Sequence, residues 1–264
     1  MKKIFAVASG KGGVGKSTVA VNLAVALANL PAGSVAKVPR VALVDLDFYG
    51  PSVPTIMGGG SIAANEERKL VPARKFNVDY ISISFFLKAD DEPVIWRGPM
   101  FSKAIMQLFQ DVEWPDIDVC IVDLPPGTGD AQLSLSQIVN LDGAILVTTP
   151  QELAVSDVRR AINMFRKVNV DVVGIVENMN GFVTPSGERF DIFGTGGGES
   201  LAKRYGIKFL GSIPLDIAVR EGGDSGNPIA INGNSATGEI FRTLAKSFWE
   251  RVQSTERPRL KVIN

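Results

Sequence analysis

A chain of 264 residues that is 45% apolar, with 28 acidic residues against 28 basic ones, has the size and composition of one large α/β unit. Its zero net charge gives no broad field to draw nucleic acid or an anionic membrane, leaving room only for a local patch, and no nucleic-acid partner is expected. With no histidine and a single cysteine, Cys120, it also excludes imidazole bases, Ser-His and Cys-His nucleophile pairs, imidazole metal sites and an intrachain disulfide.

In chain order, KIFAVAS (3–9) is a short apolar run that passes straight into a glycine-rich loop. It is too short for a leader segment, so it reads as a first strand and the compartment as cytoplasm. The longest helical candidate, VAVNLAVALANL (19–30), is interrupted by Asn22 and falls short of the roughly 18 residues that cross a bilayer, so no integral membrane association is expected. Short runs rich in β-branched residues follow at RVALVDL (40–46), VDYISIS (78–84), DVCIVDL (118–124), GAILVTT (143–149), VDVVGIVE (170–177) and IKFLGSI (207–213). Helical stretches fall near 15–30, 98–110, 130–140, 153–167, 197–205 and 235–252. That rhythm predicts an α/β fold, a mostly parallel, doubly wound sheet with helices on both faces, spanning residues 1–252 as a single domain. Residues 58–69 (GGGSIAANEERK) lack periodicity and read as a mobile loop, and residues 253–264, with ERPRL, as a loosely ordered tail. Arg159, Arg160, Arg166 and Lys167 read as a solvated helix face, and the amphipathic last helix as packing on its own sheet.

The chemistry concentrates in SGKGGVGKST (9–18). Gly10 to Ser17 fits G-x-x-x-x-G-K-[ST] between a predicted strand and a predicted helix, the context a phosphate-binding loop requires. Gly12, Gly13 and Gly15 let the backbone curl until its N–H groups face phosphate oxygens, and the helix adds its positive end. The nucleotide-binding set is therefore Gly10, Lys11, Gly12, Gly13, Val14, Gly15, Lys16, Ser17 and Thr18. Lys16 would neutralise the β- and γ-phosphates and Ser17 would ligate Mg2+. VALVDLDFYG (41–50) ends a strand in Asp45 and Asp47, and CIVDLPPGTGD (120–130) ends another in Asp123 before a proline- and glycine-rich loop. Magnesium needs carboxylate help, often through water, and the attacking water needs an orienting acceptor; in a chain without histidine these carboxylates are the candidates.

KGGVGKST (11–18) resembles the deviant Walker A motif of the MinD, ParA and Mrp class of P-loop ATPases. Within that class, PVIWRGPM (93–100), DLPPGTGD (123–130), TTPQELAVSDVRRAINMFRKVNV (148–170), GIVENM (174–179), DIFGTGGG (191–198) and REGGDSGNP (220–228) are similar to blocks of Mrp-type iron-sulfur carrier ATPases. The resemblance runs from about residue 3 to residue 250. It implies a slow, dimer-dependent ATPase that binds ATP or ADP with Mg2+. It also implies a homodimer acting in iron-sulfur cluster assembly or transfer to apoprotein clients. By the same resemblance Lys11 reaches the partner subunit's nucleotide and is catalytic together with Lys16 and Asp47, the last positioning water. Asp45 and Asp123 stand on the magnesium side with Ser17, Thr18 contacts phosphate, and Asn178, Pro214 and Asp216 cradle adenine. Asn178 can offer a base edge both an acceptor and a donor.

Carriers of this type usually have V-C-P-x-C-G after ENM, and the paired cysteines of two subunits hold the cluster. Here NGFVTPSGERFDIFG (180–194) has neither cysteine and is one residue shorter; Thr184-Pro185-Ser186 stands in their place, and Thr195 replaces the usual histidine. A turn at Pro185 and Gly187 predicts a small hairpin between GFV and ERF. Cys120, inside a predicted buried strand, reads as an apolar core side chain. An iron-sulfur cluster is thus allowed by the family but not supported by the cysteine content, which leaves either a cluster held in a way the usual motif does not reveal or a cysteine-bearing assembly partner. Two other classes stay open: a MinD- or ParA-like positioning ATPase, and a nucleotide-gated maturation factor for another metalloenzyme, such as one inserting hydrogenase nickel.

Overall fold

A computed structural model of the chain describes residues 1–66, 69–86, 98–184, 186–233 and 235–254. From β1 (Lys3–Ser9) the glycine loop leads into α1 (Lys16–Ala28), and the chain returns in β2 (Val41–Asp45). There follow α2 (Val53–Met57), a short hairpin of β3 (Ala63–Ala64) and β4 (Leu70–Val71), then β5 (Ala73–Lys75), β6 (Val78–Ser82) and α3 (Gly98–Gln110). Next come β7 (Val119–Asp123), α4 (Asp130–Ile138), β8 (Gly143–Thr148), α5 (Glu152–Lys167) and β9 (Val172–Glu177). A second hairpin, β10 (Phe182–Val183) with β11 (Arg189–Phe190), precedes α6 (Gly197–Tyr205), β12 (Phe209–Ser212), α7 (Ile217–Asp224) and α8 (Ala236–Ser254).

Eight strands form one sheet in the order β12-β9-β8-β1-β7-β2-β6-β5, parallel throughout except for β5, which runs antiparallel to β6 at the edge. Successive side chains alternate across it. Phe5 and Val7 of β1 join α1 and α8 in one core, while Ala6 and Ala8 face the other core with α3, α4, α5 and α6. Burial on both faces is why these strands read as unbroken apolar runs. β1 lies between β7 and β8, with β2 and β6 on one side and β9 and β12 on the other. Its C-terminal end is therefore the switch point at which such sheets bind ligands. Each parallel strand ends on a polar residue there: Ser9, Asp45, Ser82, Asp123, Thr148, Glu177 and Ser212.

The last helix packs on its own sheet, as its pattern predicts. α8 buries Phe241, Leu244, Phe248 and Trp249; Phe248 meets Phe5 edge-on with ring centroids 5.0 Å apart, and the Trp249 indole donates to the Lys37 carbonyl. Asn22, the polar interruption in α1, is 1% exposed and acts as a clasp, donating to Thr18 O at 2.9 Å and accepting from Ala230 N at 3.0 Å. Arg160, Arg166 and Lys167 are exposed, while Arg159 is partly buried. Among the described residues, no helix is long and apolar enough to cross a membrane.

One expectation is corrected, and three short elements appear that none anticipated. Residues 58–69 do not form a featureless loop: Ala63 and Ala64 pair with Val71 and Leu70, a ladder too short to leave a periodic signal, while Glu67 and Arg68 lie outside the described residues. α2 and α7 form where the sequence pattern predicts no element; α7 is nucleated by Asp216, whose carboxylate caps the Ala218 N–H at 2.8 Å, despite two glycines in its second half. The edge strand β5 is too short to show alternation. Of the PVIWRGPM block, residues 93–97 lie outside the described residues, as do Pro185 and tail residues 255–264.

Candidate nucleotide-binding site

Gly15 caps α1 in the left-handed conformation, φ +78°, with no side-chain cap and no acid in the first turn. The open N–H groups of that turn are therefore left for an anion. A Cβ on Gly15 would collide with the Asn178 amide, and one on Gly10 with the backbone of Asp157 on α5. The loop is thus held between α5 and the end of β9 by contacts only glycine permits. Around it lies a cleft of about 250 Å3, lined among others by Lys11, Gly12, Gly13, Lys16, Ser17 and Asp47.

Beneath the loop, charge is buried. Lys16, 6% exposed, places Nζ 2.6 Å from Asp123 Oδ1, 3.3 Å from Asp47 Oδ2 and 3.0 Å from the Ser17 hydroxyl. Burial alone would lower the Lys16 pKa, but Asp123, with Asp47 and Asp45 beyond it, more than offsets this and holds it above the ordinary lysine value. Asp45 and Asp123 sit opposite one another at the ends of β2 and β7. Burial, with the charge of Asp123 added, pushes the Asp45 carboxyl up to about 7, although it accepts from Asp47 N, Val53 N and the Ser82 hydroxyl. Burial likewise raises Asp123, against the pull of Lys16 and Ser17. Its Oδ2 is buried with no hydrogen-bond partner, a hard oxygen donor left over beside the Ser17 hydroxyl. Hydroxyl and carboxylate oxygens, without nitrogen or sulfur, are the donor set that suits Mg2+. Among the described residues, no group of three or more His, Cys, Asp or Glu side chains is arranged to hold a metal ion without outside ligands.

A second cleft, of about 400 Å3, shares Gly15 and Thr18 with the first and reaches Asn178, Pro214 and Asp216, so the structure brings these sequence-predicted positions together. Two of their side chains are already engaged. Asn178 donates one Nδ2 hydrogen to Val14 O at 2.9 Å, which leaves its second N–H and its amide oxygen to offer a base. Asp216 uses its carboxylate on Ala218 N and the Thr237 hydroxyl. Val14 is buried and joins the site through that backbone carbonyl. Ser82 and Gln132 escaped the sequence reading. Ser82 was findable, because it ends a parallel strand in register with Asp45.

Cys120 is buried on β7 facing the core with α3, α4 and α5, and burial pushes its thiol pKa up. The predicted hairpin forms, pairing Phe182 with Phe190 and Val183 with Arg189.

A doubly wound parallel sheet, whose central strand feeds a glycine loop and helix set over a buried lysine and strand-end carboxylates, defines a P-loop nucleotide-binding protein. The chain belongs to the ParA family of NUBPL iron-transfer P-loop NTPases, whose model matches residues 1–249. An iron-sulfur cluster carrier protein of Aquifex aeolicus is 46% identical over 258 residues, covering 96% of this chain and 69% of that one. A nucleotide-binding protein of Archaeoglobus fulgidus in complex with ADP superposes with a TM-score of 0.72 at 38% identity, over 85% of this chain and 86% of that one. The septum site-determining protein MinD of Pyrococcus horikoshii, complexed with Mg-ADP, shares the fold, with a TM-score of 0.66 at 22% identity over 94% and 96% of the two chains.

Proposed function

We propose that this chain is a cytoplasmic, homodimeric ATPase that acts in iron-sulfur cluster assembly or transfer to apoproteins, with a cysteine-bearing partner supplying cluster ligands. The observation that carries the ATPase reading is Lys16, buried against Asp123 and Asp47 under an uncapped helix start. In the ligand-free protein the carboxylates hold the ammonium in place, and the β- and γ-phosphates of ATP would compete for it. Gly10 to Thr18 supply the phosphate cradle, and the second cleft receives the base at Asn178, Pro214 and Asp216. Ser17, with Asp123 and Asp45 acting through water, would hold magnesium, which would supply charge neutralisation at the phosphates. Asp47 accepts a proton-bearing water and orients it. Lys11, partly exposed at the rim, serves the partner subunit's nucleotide, which ties hydrolysis to dimerisation.

The cargo half of the proposal is supported by the carrier relatives. Against resident cluster ligands stand one buried thiol and a hairpin whose Thr184 and Ser186 hydroxyls bond each other. The test is ATP binding and turnover by purified protein, then anaerobic reconstitution with iron and sulfide, reading bound iron, sulfide and visible absorption per dimer beside Cys120→Ala. Binding and turnover without a stable cluster meet the expectation. No nucleotide binding and no effect of Lys16→Ala would overturn the ATPase; a stoichiometric cluster lost in Cys120→Ala would overturn the need for a partner's cysteines.

A further inference from the structure

Gln132 on α4 is 1% exposed, and the chemistry proposed above does not use it. Its Nε2 donates to two carbonyls of the loop that leaves β7, Pro125 O at 2.8 Å and Gly127 O at 2.9 Å. Two acceptors on one side fix which end of the amide is nitrogen, because the flipped group would set oxygen against both. The same loop is held from the opposite side: Gly127 N donates to Ser9 O at 3.0 Å, and Leu124 N to Val7 O at 3.1 Å. The Ser9 hydroxyl donates in turn to the Lys11 carbonyl at 2.8 Å. A continuous run of hydrogen bonds thus passes from α4, through Pro125–Gly127 and the end of β1, to the backbone of Lys11. Pro126, in the middle of the clamped segment, lines the phosphate cleft together with Lys11, Gly12 and Gly13. The other end of the amide, Oε1, is buried without a partner, so the group is held for its donor end alone.

We infer that Gln132 is a positioning residue for ATP hydrolysis: its amide clamps Pro125–Gly127 and thereby holds the Lys11 loop and the loop after Asp123 at a set separation. Gln132 acts through these loops and lines neither cleft. The inference rests on the hydrolysis proposed above. Most of the Gly10–Thr18 cradle, including Lys16, Ser17 and the open N–H groups of α1, is anchored by the helix, and the clamp reaches only its Lys11 end. Turnover also depends on placing Lys11 and the Asp123 loop to a fraction of an ångström. Loss of the clamp therefore separates turnover from binding.

The test compares wild-type protein with Gln132→Met, which keeps the length and loses the donor, and with Gln132→Glu, which keeps shape and polarity and turns donor into acceptor. Readouts are steady-state ATP turnover, ADP affinity, and hydrogen exchange at the Gly127 amide in nucleotide-free protein. We expect kcat to fall roughly tenfold or more in both variants. KM and ADP affinity stay within about twofold, and Gly127 exchanges faster. Ser9→Ala, which cuts the next link, gives the same split, and the double variant adds little to either single one. If wild-type protein turns over ATP and both variants match it, or lose affinity and turnover in parallel, the inference is overturned and the ATPase reading stands. If wild-type protein binds but does not hydrolyse ATP, the hydrolysis reading falls and takes the inference with it.

Discussion

The C-terminal end of the sheet around β1 and the β10–β11 hairpin meet within a few residues of chain, at Asn178 and Phe182, yet they are built differently. Around β1, Lys16, Asp45, Asp47 and Asp123 are withdrawn from water, and Lys16 is tied both to Asp47 and to Asp123, 107 residues along the chain. The hairpin has two strands of two residues each, and Val183, Phe190 and neighbouring Ile192 are about half exposed. Buried charge in fixed geometry can hold and polarise phosphate without help, because no solvent competes with it. An exposed hairpin bearing hydroxyls where the resemblance calls for thiolates has no such autonomy, since iron-sulfur clusters are held by thiolate. Under the proposed function, the nucleotide half is contained in this chain and the cargo half needs another molecule.

Breaking the self-contained half gives the largest effects. Lys16→Ala lowers nucleotide affinity on the order of a hundredfold and removes turnover, measured by ADP titration and phosphate release. Lys11→Ala leaves ADP affinity near wild type while turnover falls on the order of a hundredfold, the split expected of a charge needed only for hydrolysis. A third prediction concerns pH. The folded protein holds a proton on Asp45 up to about pH 7, whereas the unfolded chain releases it near the ordinary aspartate value of 3.8. The folded state therefore binds more protons between those values, and the contribution to stability, full below the lower one, is lost as pH rises through 7. Urea unfolding of ligand-free protein should show stability falling by about 3 kcal/mol between pH 5 and 8 from this group, and Asp45→Asn should flatten that slope.

The dependent half responds weakly to the same assays. Cys120→Ala costs about 1 kcal/mol of stability as a small core deletion, read by thermal unfolding, and leaves nucleotide binding unchanged. Phe190→Ser, on the half-exposed hairpin, shifts stability by no more than about 0.5 kcal/mol and leaves turnover intact. A large loss of ATP turnover in Phe190→Ser would erase the contrast between the two regions.

Much of this was legible in the chain. The seven apolar runs read as strands all enter the sheet, because burial on both faces removes alternation and leaves β-branched runs that end on a polar residue. The six helical stretches appear within a few residues of their expected bounds. α2 and β5 escaped because five and three residues are too few to establish a period. Asn22 looked like a break in an apolar helix, and only its partner Ala230, 208 residues away, shows it to be a clasp.

The sequence by itself determined the fold class, the phosphate loop and the row of carboxylates at the strand ends, since all three follow from spacing over a few residues: strand period, glycine placement and the apolar-to-polar change at each strand end. It also determined that the hairpin has no thiol. Only the tertiary structure decided that Lys16 is paired to Asp123 and Asp47, that Asn178 and Asp216 have their side chains partly engaged, and that Gln132 clamps the loop after Asp123. The Lys16–Asp123 and Asn178–Val14 contacts join residues more than a hundred positions apart, Lys16–Asp47 and Asp216–Thr237 join separate elements, and the Gln132 and Asp216–Ala218 contacts depend on how one loop folds back on its own helix. Hydrogen bonds and ion pairs form wherever the packed backbone brings donor to acceptor, and one-dimensional spacing carries no record of that.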